Sequence, residues 1–304
     1  MDLTDPNNPN ESEAITTISG LKQVGVGLQA TFSNGIVNPV YDDALVTDDI
    51  GAILQAFESY RNADAGLPVE NSTGPSTEPW AAMYNTVQVA DVLIDNVPNV
   101  ALQPGTATGL LAAAKLYKAM AFGNLLNIYE RIPLTVGLQN QTPSFATRSE
   151  AFAEVLKLLN QARQHITTTP PSTEFQNDVL APGFDLANTI DAMLARYSLI
   201  TGDLGGALAA AQRVNRSVLS ELRFSASDRK TGSARGRSPV IGASRTGCGN
   251  RRRTRPRTRH RRSTNSPSTR SGRRAFQSTC PTKSCSFRRR CTRARATRPR
   301  RSPS

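Results

Sequence analysis

Few side chains in this 304-residue chain have the types and spacing that chemistry requires, and the best candidates are aromatic. Trp80 and Tyr60 carry flat rings that could stack on the apolar face of a sugar, and Arg61, beside Tyr60, could hydrogen-bond its hydroxyls. Trp80 also lies on the apolar stripe of a predicted helix, where core packing is favoured. Tyr60, near a predicted helix end, is the freer of the two. We take Trp80, Tyr60 and Arg61 as the candidate ligand-binding residues.

Acidic pairs and the lone histidine of the first 222 residues are weaker candidates. Asp42-Asp43 and Asp48-Asp49 could coordinate a hard cation through oxygen ligands, but solvated or helix-capping roles are favoured. His165 is expected to be solvated or capping as well. This region contains no Gly-x-Ser-x-Gly, phosphate-loop or histidine-rich metal motif. We predict that the protein is not an enzyme and has no catalytic residue, metal site or cofactor.

Charge divides the chain into two regions. Residues 1–222 carry 11 Lys and Arg against 23 Asp and Glu, a formal net charge of −12, whereas residues 223–304 carry 26 against one, a net charge of +25. The second region has three Phe and neither Tyr nor Trp. So little apolar surface cannot offset the entropy of ordering such a charged segment. We predict a folded region over 1–222 and a disordered tail over 223–304.

The tail has two competing explanations. Its Arg outnumber its Lys 24 to 2, and eight Arg occur within residues 251–262. Acidic residues and helical periodicity stop at the same point, which favours a frameshift in a GC-rich gene. A genuine basic arm would instead bind nucleic acid, without sequence preference, through the phosphates. The four cysteines, all in the tail, match no common zinc-site spacing.

The acidic region is predicted to be all-α, with long loops. Apolar residues at helical spacing predict helices over residues 12–32, 50–62, 79–96, 106–129, 147–166, 189–201 and 204–218. Predicted loops cover 33–48, 63–77 and 167–183. Residues 147–150 form a capping box that opens the fifth helix. Small residues at Ala195, Ala207 and Ala211 give the last two helices the spacing of a tetratricopeptide-like hairpin.

Three segments in order, after an opening Asp-Leu-Thr-Asp-Pro at residues 2–6, carry a resemblance to a known family. Residues 80–91 read W-x3-Y-x2-V-x2-A-D, residues 118–134 read K-A-x2-F-x2-L-x3-Y-E-R-I-P-L, and residues 194–211 form the hairpin. Together they resemble the SusD/RagB family, which are surface glycan-binding lipoproteins of Bacteroidota on a scaffold of tetratricopeptide-type helices. The family usually has Asn, Arg and Gly where this chain has Asp91, Lys118 and Glu130. The resemblance covers residues 1–222, roughly the N-terminal half of a family member.

The resemblance implies a non-catalytic protein exposed on the cell outer membrane. Such proteins hold a glycan or another nutrient over a TonB-dependent transporter for uptake. They are tethered by a lipidated Cys just upstream of the Asp-Leu-Thr-Asp-Pro-like opening; Met1 stands there in the sequence as written, which has no signal peptide. We therefore expect a truncated form that lacks its lipid anchor. Two alternatives stay open: a tetratricopeptide-type adaptor for a protein segment, and a nucleic-acid-binding protein acting through its tail.

Overall fold

The computed structural model describes residues 15–135, 142–222, 224–225, 232–233 and 241–244. Helices dominate these residues, and the strands among them are two to four residues long, which confirms the all-α prediction. The helices are α1 Ile18–Gly35, α2 Val37–Val46, α3 Glu58–Asp64, α4 Gly74–Asn96, α5 Pro104–Ile128, α6 Arg148–Thr168, α7 Thr173–Asp178, α8 Leu186–Thr201 and α9 Leu204–Arg213.

Helices that follow one another in sequence pack side by side. α4 packs on α5, α5 on α6, α6 on α8 and α8 on α9, while α1 lies against both α4 and α5. This series of neighbouring helices has the tetratricopeptide-like arrangement predicted from the final hairpin. Gly202 ends α8 in the left-handed conformation, with φ of 85°, where an L side chain would be strained.

The centre of the fold is α5, which is surrounded by other helices. Of its 25 residues, 16 are buried, so its surface is apolar on all sides rather than along one stripe. Two glycines allow close approach: a side chain at Gly109 would collide with the ring of Phe175, and one at Gly123 with the hydroxyl of Tyr197. The composition of α5 therefore sets how closely α7 and α8 pack against it.

The predicted capping box is present at the start of α6. The Thr147 backbone N–H donates to Glu150 Oε2 at 2.7 Å, and Thr147 Oγ1 accepts from the Glu150 backbone N–H at 3.4 Å. This pair satisfies two of the donors that a helix leaves unpaired at its N-terminus. The hydrogen bonds from Thr147 lower the pKa of the Glu150 carboxyl.

The predicted loop over 33–48 is wrong, and the predicted helix over 50–62 is helical only from residue 58 onwards. Residues 37–46 form α2, with Pro39 in its first turn, where the missing N–H would have had no helical partner. Asp48 has φ of 63° and does not start a helix; it ends α2, and the Asp49 N–H donates back to Ala44 O at 3.0 Å. Residues 50–52 then form a short strand, and α3 begins only at Glu58.

Two further boundaries differ from the prediction. α4 begins at Gly74, with Pro75 in its first turn, so that Pro79 lies inside the helix. The predicted loop over 167–183 contains α7, whose N-cap Ser172 accepts a hydrogen bond from the Phe175 N–H at 3.1 Å. Phe175 is wholly buried. The short length of α7 explains the error, because six residues are too few to show helical periodicity.

The strands are short pairs at the margins of the helices. They are β1 Ile50–Ala52, β2 Ile132–Pro133, β3 Phe145–Ala146, β4 Phe224–Ser225, β5 Gly232–Ser233 and β6 Ile241–Ser244. β1 pairs with β6 and β2 with β3, both antiparallel, whereas β4 and β5 are parallel. Eight residues of the predicted tail thus lie in strands; the rest of that prediction falls outside the described residues.

Candidate functional site

Tyr60 is buried between α3 and α4. Only 8% of it is exposed, and it packs with Leu45 and Ala56 in a small apolar cluster. Its hydroxyl donates to Glu78 Oε2 at 2.7 Å. Burial, and then Glu78, raise the pKa of the Tyr60 hydroxyl. The side chain predicted to be the freer aromatic is therefore a link between two helices.

Arg61, the next residue, is exposed but engaged with backbone. Its Nη1 donates to the carbonyl oxygen of Leu54 at 3.0 Å and to that of Ala56. These bonds hold the turn that precedes α3. Arg61 and Tyr60 thus both stabilise the local fold, and neither lines the neighbouring pocket described below.

Trp80 belongs to an aromatic cluster that also contains Tyr84, Tyr129 and Phe145, which we call the Trp80 cluster. The Trp80 ring centroid lies 4.7 Å from that of Tyr84, 5.1 Å from that of Tyr129 and 6.2 Å from that of Phe145. Trp80 is partly buried against the core, and the predicted preference for core packing agrees with this position. Phe145, stacked on Trp80, is 53% exposed and forms the outer surface of the cluster.

The hydroxyls of the Trp80 cluster are used within the fold. Tyr84 donates to Pro133 O at 2.8 Å, and Tyr129 donates to Ser76 O at 2.8 Å. These bonds join α4 to the end of α5 and to β2. The polar tips that would recognise a ligand are therefore occupied, and Phe145 is the most exposed ring of the cluster.

A pocket of about 410 Å³ lies beside α3, and we call it the Phe57 pocket. The first turns of α3 form one wall, and the loop before α4 forms the other. Phe57 is 71% exposed, so its ring face is available at the pocket. Its lining residues are Phe57, Glu58, Ser59, Asn62, Pro68, Val69, Glu70 and Thr73. The pocket thus combines one aromatic face with carboxylate, amide and hydroxyl groups.

A larger groove of about 850 Å³ runs between α7 and the start of α8. Pro170, Pro171, Leu180 and Leu186 contribute to walls that are mainly apolar. Its two phenylalanines, Phe175 and Phe184, are both buried, so they present no open ring face to the groove. The groove has the volume for a ligand but lacks the flat aromatic surface that a sugar ring would stack on.

Asp42 is the least satisfied polar group of the described residues. It is 8% exposed, and its Oδ2 is buried without a hydrogen-bond partner. Burial, followed by the charges of Glu78 and Asp43, raises the pKa of its carboxyl to about 7. Asp42 is therefore not the solvated loop acid that the sequence favoured, because it lies in the interior of α2.

The described residues contain no group of three or more His, Cys, Asp or Glu placed to hold a metal ion. His165 is partly buried at the end of α6, and burial, then Lys115, lower the pKa of its imidazole. Its position gives no sign of a catalytic partner. The described helices are also too short or too polar to span a membrane.

No protein-family model and no curated protein matches the sequence, but solved structures do. A laminarin-binding SusD-like protein matches with a TM-score of 0.52 and 20% identity, over 68% of this chain and 44% of that one. NanU of B. fragilis matches with a TM-score of 0.53 and 16% identity, over 70% of this chain and 42% of that one. The chain has a SusD-like fold. It spans less than half the length of these two proteins.

The residues that carry the resemblance to SusD-like proteins serve this fold. Tyr84, from the first segment, packs edge-on against Phe122 of the second at 6.5 Å and hydrogen-bonds to Pro133 O, also in the second. Asp91 and Lys118, two positions at which the chain departs from the family, form an ion pair with each other. The SusD-like motif thus specifies packing between α4 and α5.

Sequence reasoning missed the main residues of the Phe57 pocket. The predicted helix over 50–62 places Phe57 in its interior, where an aromatic residue is expected to pack in the core. The shorter α3 instead leaves Phe57 as its N-cap, outside the apolar cluster. The available signal was Phe57-Glu58-Ser59, an aromatic residue followed at once by two hydrogen-bonding side chains.

Proposed function

We propose that this protein is a non-catalytic member of the SusD/RagB family that binds a saccharide, and that the Phe57 pocket is the binding site. The SusD-like fold supports the family assignment. The observation that carries the site is the exposed ring of Phe57 at a pocket otherwise lined largely by polar side chains. The ring would take the apolar C–H face of a sugar.

The polar groups of the pocket fit the hydroxyls of a neutral sugar. Glu58 and Glu70 offer carboxylate oxygens, which accept hydrogen bonds, while the Asn62 amide both donates and accepts. Ser59 adds a hydroxyl of the same kind. Carboxylates on both walls also disfavour anionic sugars, because a like charge would be brought close to Glu58 and Glu70.

In the cell, the protein would act in nutrient uptake. By the family resemblance, we place it on the outer-membrane surface, paired with a TonB-dependent transporter to which it would deliver its glycan. No catalysis is required of such a component. Trp80, which is stacked with Phe145, lies outside the proposed pocket.

A glycan screen with the full chain tests the proposal. At raised salt, which screens the charge of the tail, we expect binding to a neutral oligosaccharide that Phe57→Ala weakens by about tenfold, the loss expected for one stacking face. Leu54→Ala is the matched control, because Leu54 is 87% exposed and outside the pocket.

Four results would overturn the assignment. A screen without any binding rejects saccharide capture by this chain. Unchanged affinity in Phe57→Ala, with loss in Phe145→Ala, moves the site to the Trp80 cluster. Capture of a peptide by a chain that binds no glycan favours the tetratricopeptide-type adaptor. Steeply salt-dependent binding of nucleic acid that disappears on deletion of residues 223–304 favours a nucleic-acid partner.

A further inference from the structure

The buried carboxyl of Asp42 needs a partner that the described residues do not supply. Its Oδ2 makes no hydrogen bond, and the residue is 8% exposed. A buried ionised carboxylate without a partner costs several kcal/mol, so native proteins pair it, protonate it or place it on a metal ion. Asp42, a buried residue of α2, therefore requires a proton, a polar partner or a metal ion.

The groups facing Asp42 are acidic or neutral. Burial is the main cause that raises the pKa of the Asp42 carboxyl, and the charges of Glu78, from α4, and of the adjacent Asp43 raise it further. Burial also raises the pKa of Tyr129 to about 12, with the Asp42 charge as the second cause. Asp43 is accounted for, since it hydrogen-bonds to Asn127 and lies near Arg196. No such partner acts on Asp42, so these side chains converge on a region of concentrated negative charge.

Oxygen atoms around Asp42 are available as ligands. Glu78 Oε2 accepts from the Tyr60 hydroxyl at 2.7 Å, which fixes this carboxylate and leaves Oε1 beside Gly74. The Tyr129 hydroxyl donates to Ser76 O at 2.8 Å, which places Tyr129 beside the first turn of α4. Glu78 is exposed, so the region opens to solvent on that side.

We infer that Asp42 and Glu78 form a binding site for a divalent cation such as Ca²⁺. Ca²⁺ prefers carboxylate and carbonyl oxygens, tolerates irregular geometry and takes its remaining ligands from water, which can enter on the side of Glu78. Two carboxylates match its charge, and the ion would give Asp42 Oδ2 its missing partner. The site would also tie α2 to α4, because each helix supplies one of the two carboxylates.

The test uses the full chain after chelator treatment, titrated with Ca²⁺ by calorimetry and with Tb³⁺ by luminescence. Tyr60, Tyr129 and Trp80 are near enough to Glu78 in the fold to sensitise bound Tb³⁺. We expect one saturable site and a Ca²⁺-dependent rise in melting temperature. Asp42→Asn and Glu78→Gln should each weaken Ca²⁺ binding by about tenfold or more, since each removes one of two charged ligands.

Asp49→Asn is the matched control, because Asp49 is an exposed acid whose carboxylate bonds to Thr47 within the turn after α2. Glu78→Gln guards against loss of fold, because the side chain is exposed and an amide oxygen can still accept from Tyr60. Absence of Ca²⁺ and Tb³⁺ binding in wild type overturns the inference, as does binding that Asp42→Asn and Glu78→Gln leave unchanged. The inference does not depend on the saccharide proposal, and its test uses no saccharide.

Discussion

Neighbouring residues at the start of α3 have opposite surroundings. Tyr60 is 8% exposed and bonded to Glu78, whereas Phe57, three residues earlier, is 71% exposed. The sequence analysis favours Tyr60 as the freer ring because the predicted helix over 50–62 starts too early, whereas α3 begins at Glu58. Because of this one error in a helix boundary, the prediction favours Tyr60, which is packed, over Phe57, which is exposed.

At the same scale, Asp191 joins three helices. It accepts hydrogen bonds from Arg163 of α6 and, at 2.8 Å, from Arg213 Nε at the end of α9. The Asp191 side chain is 8% exposed, while the two arginines are 32% and 35% exposed, so most of the desolvation falls on the carboxylate. The pattern of apolar residues alone does not reveal this network.

We expect Asp191→Ala to lower the free energy of unfolding by about 1–3 kcal/mol, because it leaves two partly buried guanidinium groups without their acceptor. Lys157→Ala is the control: Lys157 is 60% exposed and pairs with Glu154 along the same helix, a contact worth about 0.5 kcal/mol or less. Denaturant unfolding of both variants measures the difference. Equal effects would contradict the view that Asp191 links the helices.

At the scale of elements, local signals located the helices whose ends are marked by capping residues. The capping box marks the start of α6. Pro104 lies at the start of α5 and Gly202 follows the end of α8, as expected from helix-end chemistry. α7 was missed because its six residues are too few to show helical periodicity, and α2 because Asn38 and Pro39, which are typical of loops, lie in its first turn. Their stability comes from tertiary contacts such as Phe175 over Gly109, which no local pattern contains.

Close packing of α5 on α8 predicts the effect of adding a single methyl group. Gly123→Ala would push its Cβ into the hydroxyl of Tyr197, which is only 3% exposed, so we expect a loss of about 1–3 kcal/mol in the free energy of unfolding. Gly27→Ala, in α1, is the matched control because no heavy atom lies within 4 Å of its added Cβ. There, higher helix propensity should give a gain of about 0.5–1 kcal/mol. Thermal melts that rank the two variants in the opposite order would contradict the packing.

For the molecule as a whole, the described surface carries an exposed apolar face on its last hairpin. Leu199 is 61% exposed on α8, and Leu204 and Leu208 are 67% and 61% exposed on α9. Large exposed apolar faces of soluble proteins are interaction sites or cause aggregation. A repeat pattern accounts for such a face, since each helical hairpin of a repeat protein buries one side against the next.

We therefore expect the full chain to self-associate as its concentration rises, and Leu204→Glu with Leu208→Glu to reduce that association. Light scattering coupled to size-exclusion chromatography measures it. Leu54→Glu serves as the control, because Leu54 is 87% exposed but lies before α3, far from the hairpin in sequence. A wild-type chain that stays monomeric at every concentration would show that this face does not drive association.

Hydrogen exchange of the full chain, with and without the neutral oligosaccharide that binds best, tests the central claim most directly. If the Phe57 pocket holds the ligand, amides of residues 57–73 will gain protection on binding, and Phe57→Ala will reduce that gain at the same oligosaccharide concentration. Protection confined to the segments around Phe145 and Trp80, or to the groove between α7 and α8, would contradict the assignment. So would a chain whose exchange no oligosaccharide changes.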